Sequence, residues 1–251
     1  MVRTAIPEGR CEVWTATSPE LTGQLRAFEA LLSPEEHADV DRQRNDRVTA
    51  TLSRGLLRLL LARYVGLAPS AITVIRTCPV CGRPHGRPRL PAQPHPSAAP
   101  IAFSVSHADD LLVFAFASCP LVGVDVEPLT APDALSAELV EYALTPPERH
   151  HLMQLPTSAQ PELFLHYWTG KEAVLKAIGT GLDLPLQAVA MPATPDGGTA
   201  VVQLVGSPAQ QLCIRRLEVG AAHVGTLATD RAIDDLRVNH LSDASVRGLL
   251  E

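Results

Sequence analysis

The chain has 251 residues, 46% of them apolar and 19% charged, with a formal net charge of −6. That composition describes a folded globular protein of one large or two modest domains and excludes a disordered chain. It also argues against a broad electrostatic nucleic-acid binder, which is usually basic. Five cysteines are an odd number, and only Cys78 and Cys81 lie close together, so a reducing, cytoplasmic setting is expected. No apolar leader opens the chain, and the most apolar stretch, 56–68, is interrupted by Arg58 and Arg63. A membrane span is therefore not expected.

In chain order, Ser33-Pro-Glu-Glu36 has the form of a capped helix start, with Ser as N-cap and Glu three residues on. Leu52, Leu56, Leu59, Leu60 and Tyr64 recur at helical spacing over 47–65, and Gly66 supplies a stop. A short strand is expected at 72–75, followed by a Pro-, Gly- and His-rich loop over 78–100. Residues 101–106 alternate like a half-buried strand. Two further apolar runs, 111–117 and 121–127, read as the arms of a hairpin. Helices are expected at 134–143, from Thr145, and at 161–178, the last ended by Gly179. Short strands follow at 189–191, 200–205, 212–217 and 224–228, with a closing helix at 243–250. The order implies an α+β protein of two similar halves, 1–120 and 121–251.

The basic residues are 19 arginines and two lysines, Lys171 and Lys176. A compact ammonium does what a guanidinium does not, so the helix that carries both lysines is where chemistry is sought. Trp168, Glu172 and Lys176 share one face of it at i, i+4 and i+8. A carboxylate and an ammonium beside an aromatic can serve as base and phosphate anchor, although a surface Glu–Lys pair has the same spacing. Asp125 and Glu127, two apart on a strand, face one way and suit Mg²⁺, which accepts one or two carboxylates with phosphate and water; a solvated strand end has the same pattern. Ser104-Val-Ser106-His107 closes a strand with groups able to bond phosphate. Cys78, Cys81 and His85 make half of a zinc site, lacking a fourth ligand. Glu148, three residues after Thr145, has the spacing of a capping box.

Taken in order, Gly86-Arg87-Pro88, Phe103-Ser-Val-Ser-His107, Gly123-Val-Asp-Val-Glu127 and Trp168-Thr-Gly-Lys-Glu172-Ala-Val-Leu-Lys176 make the chain resemble the broad-specificity, surfactin-synthetase-activating type of 4′-phosphopantetheinyl transferase. The resemblance implies a pseudo-dimeric, two-halves α+β fold, each half a small antiparallel sheet packed with helices, with coenzyme A between the halves. It implies transfer of the phosphopantetheine arm of coenzyme A to a serine of apo acyl or peptidyl carrier proteins, in polyketide, peptide or fatty-acid synthesis. The by-product is adenosine 3′,5′-bisphosphate. By motif, Asp125, Glu127 and Glu172 would hold Mg²⁺, with Mn²⁺ the alternative ion. Glu172, directly or through water, and Lys176 would be the catalytic pair. Arg47, Arg54, Gly86, Arg87, Pro88, Ser106, His107 and Lys176 would contact coenzyme A. A cytoplasmic monomer with neither nucleic-acid nor membrane partners is expected. A binding module for carrier protein or coenzyme A, without transfer, is the alternative. Ser104, where the family often has Asn, and Gly170, where a larger residue is common, are departures.

Overall fold

The structure is a computed structural model that describes residues 5–43, 46–77, 82, 86–91, 101–129, 135–180, 184–194, 197–203 and 208–250. Strand β1 (Arg10–Thr17) leads into two short helices, α1 (Ser18–Leu21) and α2 (Leu25–Glu29). Helices α3 (Pro34–Arg42) and α4 (Arg47–Val65) follow, then strands β2 (Ala102–Ala108), β3 (Leu111–Ala117) and β4 (Val122–Pro128). Helices α5 (Ala137–Ala143), α6 (Pro146–Met153) and α7 (Gln160–Ile178) come next. Strands β5 (Val189–Ala190), β6 (Gly197–Val202), β7 (Gln210–Leu217), β8 (His223–Thr229) and β9 (Asp235–His240) precede the closing helix α8 (Asp243–Leu250).

Helix starts and stops obey local chemistry. Ser33 caps α3 in a full capping box with Glu36. Gly66 and Gly179 end α4 and α7 with φ of 79° and 78°, a left-handed turn that glycine makes without strain. On α4 the leucines at 52, 56, 59 and 60 are fully buried, each contributing roughly 1.5–3 kcal/mol.

The strands form two sheets, in the orders β2-β3-β1-β9 and β4-β8-β7-β6-β5. One face of the first sheet packs on α4 through Phe103, Leu112, Phe114 and Phe116. Its other face meets the second sheet through Val13, Val113, Ala115, Val124 and Leu227. Helix α7 covers the outer face of the second sheet. The site therefore lies at a seam, where edge strand β2 meets edge strand β4.

Three expectations are corrected. The apolar runs 111–117 and 121–127 do not pair with each other; β3 pairs with β2 and β1, and β4 pairs with β8. The two-residue connection at 109–110 makes the hairpin one strand earlier, with Asp109 at φ 49°. The segment 72–75 contributes a single bridge, Ile75 to Arg89, instead of a strand. Strands β1 and β9 were not anticipated. β1 is buried along most of its length, so its alternation is masked. β9 is mostly polar and takes its place by pairing parallel to β1. It carries the chain back from the second sheet to the first.

Candidate active site

Side chains from three segments converge at the β2–β4 seam. Lys176, near the end of α7, places Nζ 2.6 Å from Asp125 Oδ1 and 2.9 Å from Ser106 Oγ. The Ser106 hydroxyl donates to the same Asp125 oxygen at 2.9 Å. Asp125 and Ser106 are buried, whereas Lys176 is about a third exposed. Asp125 Oδ2 is buried and accepts no hydrogen bond among the described residues, a costly state for a carboxylate oxygen without a further donor or cation.

Two more carboxylates flank this cluster. Glu127 Oε1 accepts from Trp168 Nε1 at 3.3 Å, so the indole on the α7 stripe holds one end of the strand pair. Burial pushes Glu127 above the ordinary carboxylate range, and the neighbouring Asp125 charge adds to the effect. Glu172 is pushed the same way, by burial first and by Asp125 second, with Lys176 opposing. Three carboxylates gathered around one ammonium form a site short of positive charge.

The close approach of α7 to β4 depends on Gly123. A Cβ there would lie 1.9 Å from the Ala173 carbonyl oxygen and 2.6 Å from Ala177 N. Thr169 Oγ1 lies 2.8 Å from Thr226 Oγ1 and ties the helix to β8. Ser104 Oγ accepts from Val124 N at 3.0 Å, stitching β2 to β4 two residues before Ser106. The hydroxyl at position 104 thus has a backbone-bridging task.

The remaining sequence candidates fall elsewhere. His107 is exposed at the end of β2; by strand alternation it shares the face of Phe103 and Val105, away from Ser106. Arg54 is buried on α4, donating to the Ala50 carbonyl and pairing with Asp39. Arg47 is exposed and pairs with Glu29 and Asp41. Both arginines lie on α4, across the first sheet from the Asp125 cluster. Gly86 and Pro88 flank Arg87, whose guanidinium donates from Nη1 to the Ala177 carbonyl at 2.6 Å. Its Nη2 donates to the carbonyls of Val122 at 3.1 Å and Phe103 at 3.4 Å. Cys78, Cys81 and His85 lie outside the described residues.

Lys171 was not separable from Lys176 by sequence. It is fully buried, with Nζ 2.7 Å from Glu148 Oε2, 2.7 Å from the Val189 carbonyl and 3.1 Å from that of Leu186. Glu148 also accepts from Thr145 N and Met191 N. The pair welds α6, α7 and the 186–191 segment together. A five-residue offset turns two side chains roughly 140° apart on a helix, so one lysine faces the core and the other the seam.

Residues 121–228 match the family model of the 4′-phosphopantetheinyl transferase superfamily. Over that segment the chain is similar to that superfamily. Among curated relatives, the 4′-phosphopantetheinyl transferase HetI of Nostoc is 29% identical over 204 residues, 80% of each chain. A phosphopantetheinyl transferase of Thraustochytrium is 29% identical over 221 residues, 83% of this chain and 73% of the relative. The 4′-phosphopantetheinyl transferase Sfp of Bacillus subtilis is 27% identical over 176 residues, 69% of this chain and 72% of the relative. The two packed sheets with their helices accord with that similarity.

Among the described residues, no three His, Cys, Asp or Glu side chains lie close enough to hold a metal ion by themselves. Mg²⁺ does not require that, since it keeps waters and commonly takes one or two carboxylates together with substrate phosphates. The orphaned Asp125 Oδ2 and the upward push on Glu127 and Glu172 fit a divalent cation at this place.

Proposed function

We propose that this protein transfers the 4′-phosphopantetheine arm of coenzyme A to a serine of an apo acyl or peptidyl carrier protein, leaving adenosine 3′,5′-bisphosphate. The observation that carries the reading is the convergence of Lys176, Asp125 and Ser106 beside two burial-raised carboxylates. Attack on a diphosphate builds negative charge on oxygens that are already anionic, and catalysis consists largely of holding and neutralising that charge. Lys176 is the resident cation, aimed by Asp125 and Ser106. Glu172, on the same helix face one turn earlier, has a raised proton affinity suited to taking the serine proton, directly or through a water.

Within this reading Asp125, Glu127 and Glu172 hold Mg²⁺, with Mn²⁺ as substitute. The bound ion supplies charge neutralisation at the diphosphate. Ser106 and, from the opposite face of β2, His107 would contact the nucleotide together with the backbone of Gly86 and Pro88, with Arg47 and Arg54 on the α4 side of the first sheet. The protein acts as a monomer, since both edges of the seam come from one chain, and as a cytoplasmic enzyme on the broad-specificity pattern of its motifs. Its net charge of −6 suits a local anion site better than a nucleic-acid track, and no helix among the described residues is long and apolar enough to cross a membrane.

Intact-mass spectrometry of an apo carrier domain incubated with the protein, coenzyme A and Mg²⁺ tests the proposal. The expected result is a gain of one phosphopantetheine arm that disappears with EDTA and returns with excess Mg²⁺ or Mn²⁺. Coenzyme A binding without any gain on several carriers would leave a binding module in its place.

A further inference from the structure

Arg87 carries an arrangement that the motif does not explain. Its three acceptors are main-chain carbonyls, one from each segment that supplies the Lys176–Asp125–Ser106 cluster. Ala177 directly follows Lys176, Val122 lies three residues before Asp125, and Phe103 lies three residues before Ser106. Ala177 is in the last turn of α7, where carbonyls lack intrahelical partners and the helix dipole favours a cation. The neighbouring turn is equally close: a Cβ on Gly179 would meet Arg87 Cδ at 3.7 Å.

We propose that Arg87 is a positioning residue for Lys176, locking the end of α7 onto the β2–β4 seam, and that its guanidinium is not a nucleotide contact. Coulomb attraction by itself does not set the height of Lys176 along the seam. A lysine stem has four rotatable bonds, and its ammonium is a point charge without directional demand. A planar guanidinium bridging three carbonyls does set it, because its donors are rigidly spaced. To reach a phosphate, Arg87 would have to abandon carbonyls that no other described side chain serves. Where the motif implies a coenzyme A contact, the geometry assigns a joint between the three parts of the site.

The inference rests on the proposed transfer reaction only for its kinetic readout, and the chain's composition offers a second readout. With two lysines in the chain, selective isotopic labelling of lysine gives two side-chain NMR signals, Lys171 in the core and Lys176 at the seam. In Arg87→Met the Lys176 signal is expected to move while that of Lys171 stays. Coenzyme A affinity is expected to remain within about threefold, and kcat to fall by up to about a hundredfold, the scale of a small misplacement at a reacting centre. Arg87→Lys, which retains a donor near the carbonyls, is expected to restore part of both the signal position and kcat. If both lysine signals collapse in Arg87→Met, the fold is lost and Arg87→Lys decides on the same criterion. An unmoved Lys176 signal in a folded variant overturns the proposal, as does a tenfold loss of coenzyme A affinity with kcat preserved. A wild-type protein that modifies no carrier would instead refute the transfer reaction, and the two NMR signals would still judge Arg87.

Discussion

Lys176 is the residue on which the site's charge balance turns. It is the one cation bonded to Asp125 among the described residues, and two further carboxylates lie close by. Lys176→Ala is expected to lower kcat by about a hundredfold or more while changing KM for coenzyme A only a few-fold, the signature of an interaction made mainly in the transition state. Steady-state kinetics over a coenzyme A series checks it, with Asp125→Asn expected to be inactive yet folded by circular dichroism. Glu172 permits a prediction of opposite sign. Because its proton affinity is raised on folding, the native state binds that proton more tightly than the unfolded chain. Stability therefore falls as pH climbs from the ordinary carboxylate value through the raised one. Glu172→Gln in chelator-containing buffer is thus expected to melt higher than wild type at neutral pH. The two proteins should melt together below the ordinary carboxylate value. Thermal scans at several pH values decide it; the same variant is expected to be inactive.

At the scale of elements, the pairing of α7 with β4 was legible because both carry their message in spacing. Trp168, Glu172 and Lys176 form a helical stripe, and Asp125 and Glu127 form a strand pair. What spacing does not reveal is which partner each group meets. Ser106 on Asp125, Trp168 on Glu127 and Lys171 on Glu148 join residues 19 to 41 positions apart. Such contacts exist only once the sheets are stacked. The acceptors of the Arg87 guanidinium are hidden for the same reason, since they come together only when three separate backbones meet. Two glycines of this interface separate close packing from mere smallness. A methyl at Gly123 would strike the backbone of α7, whereas one at Gly170 would strike the Met191 methyl at 2.0 Å, the far end of a flexible side chain. Gly123→Ala is expected to cost about 3 kcal/mol or more, at the upper end of overpacking, and Gly170→Ala about 1 kcal/mol. Chemical denaturation of the two variants side by side measures the difference.

For the whole molecule, the two sheets and their helices followed from the order of apolar runs, but the assignment of strands to sheets did not. β3 and β4 are adjacent in sequence and lie in different sheets, while β1 and β9 are separated by most of the chain and pair directly. The return of β9 and α8 to the first sheet also brings Leu241 and Val246 into the α4-side core. Removing residues 235–251 is expected to lower the melting temperature by roughly 10 °C or more. Two buried aliphatic side chains are worth ~3–6 kcal/mol, and 1 kcal/mol moves the midpoint about 2–4 °C. Differential scanning calorimetry of the shortened chain tests it.

That same return has a consequence for how the protein is made. On the ribosome β1 emerges well before its neighbour on one side, which is synthesised more than two hundred residues later. Until then β1 presents a row of unsatisfied amides and carbonyls, the kind of open border on which strands of other molecules pair. The first half therefore waits, incomplete, until β9 has been made, and contacts of such long range are slow to form. Cutting the gene near codon 120 and expressing two pieces would separate β1 from the strand that seals it. Linking residue 251 to residue 1 and opening the chain between β3 and β4 would instead let the sealing strand and β1 leave the ribosome one after the other.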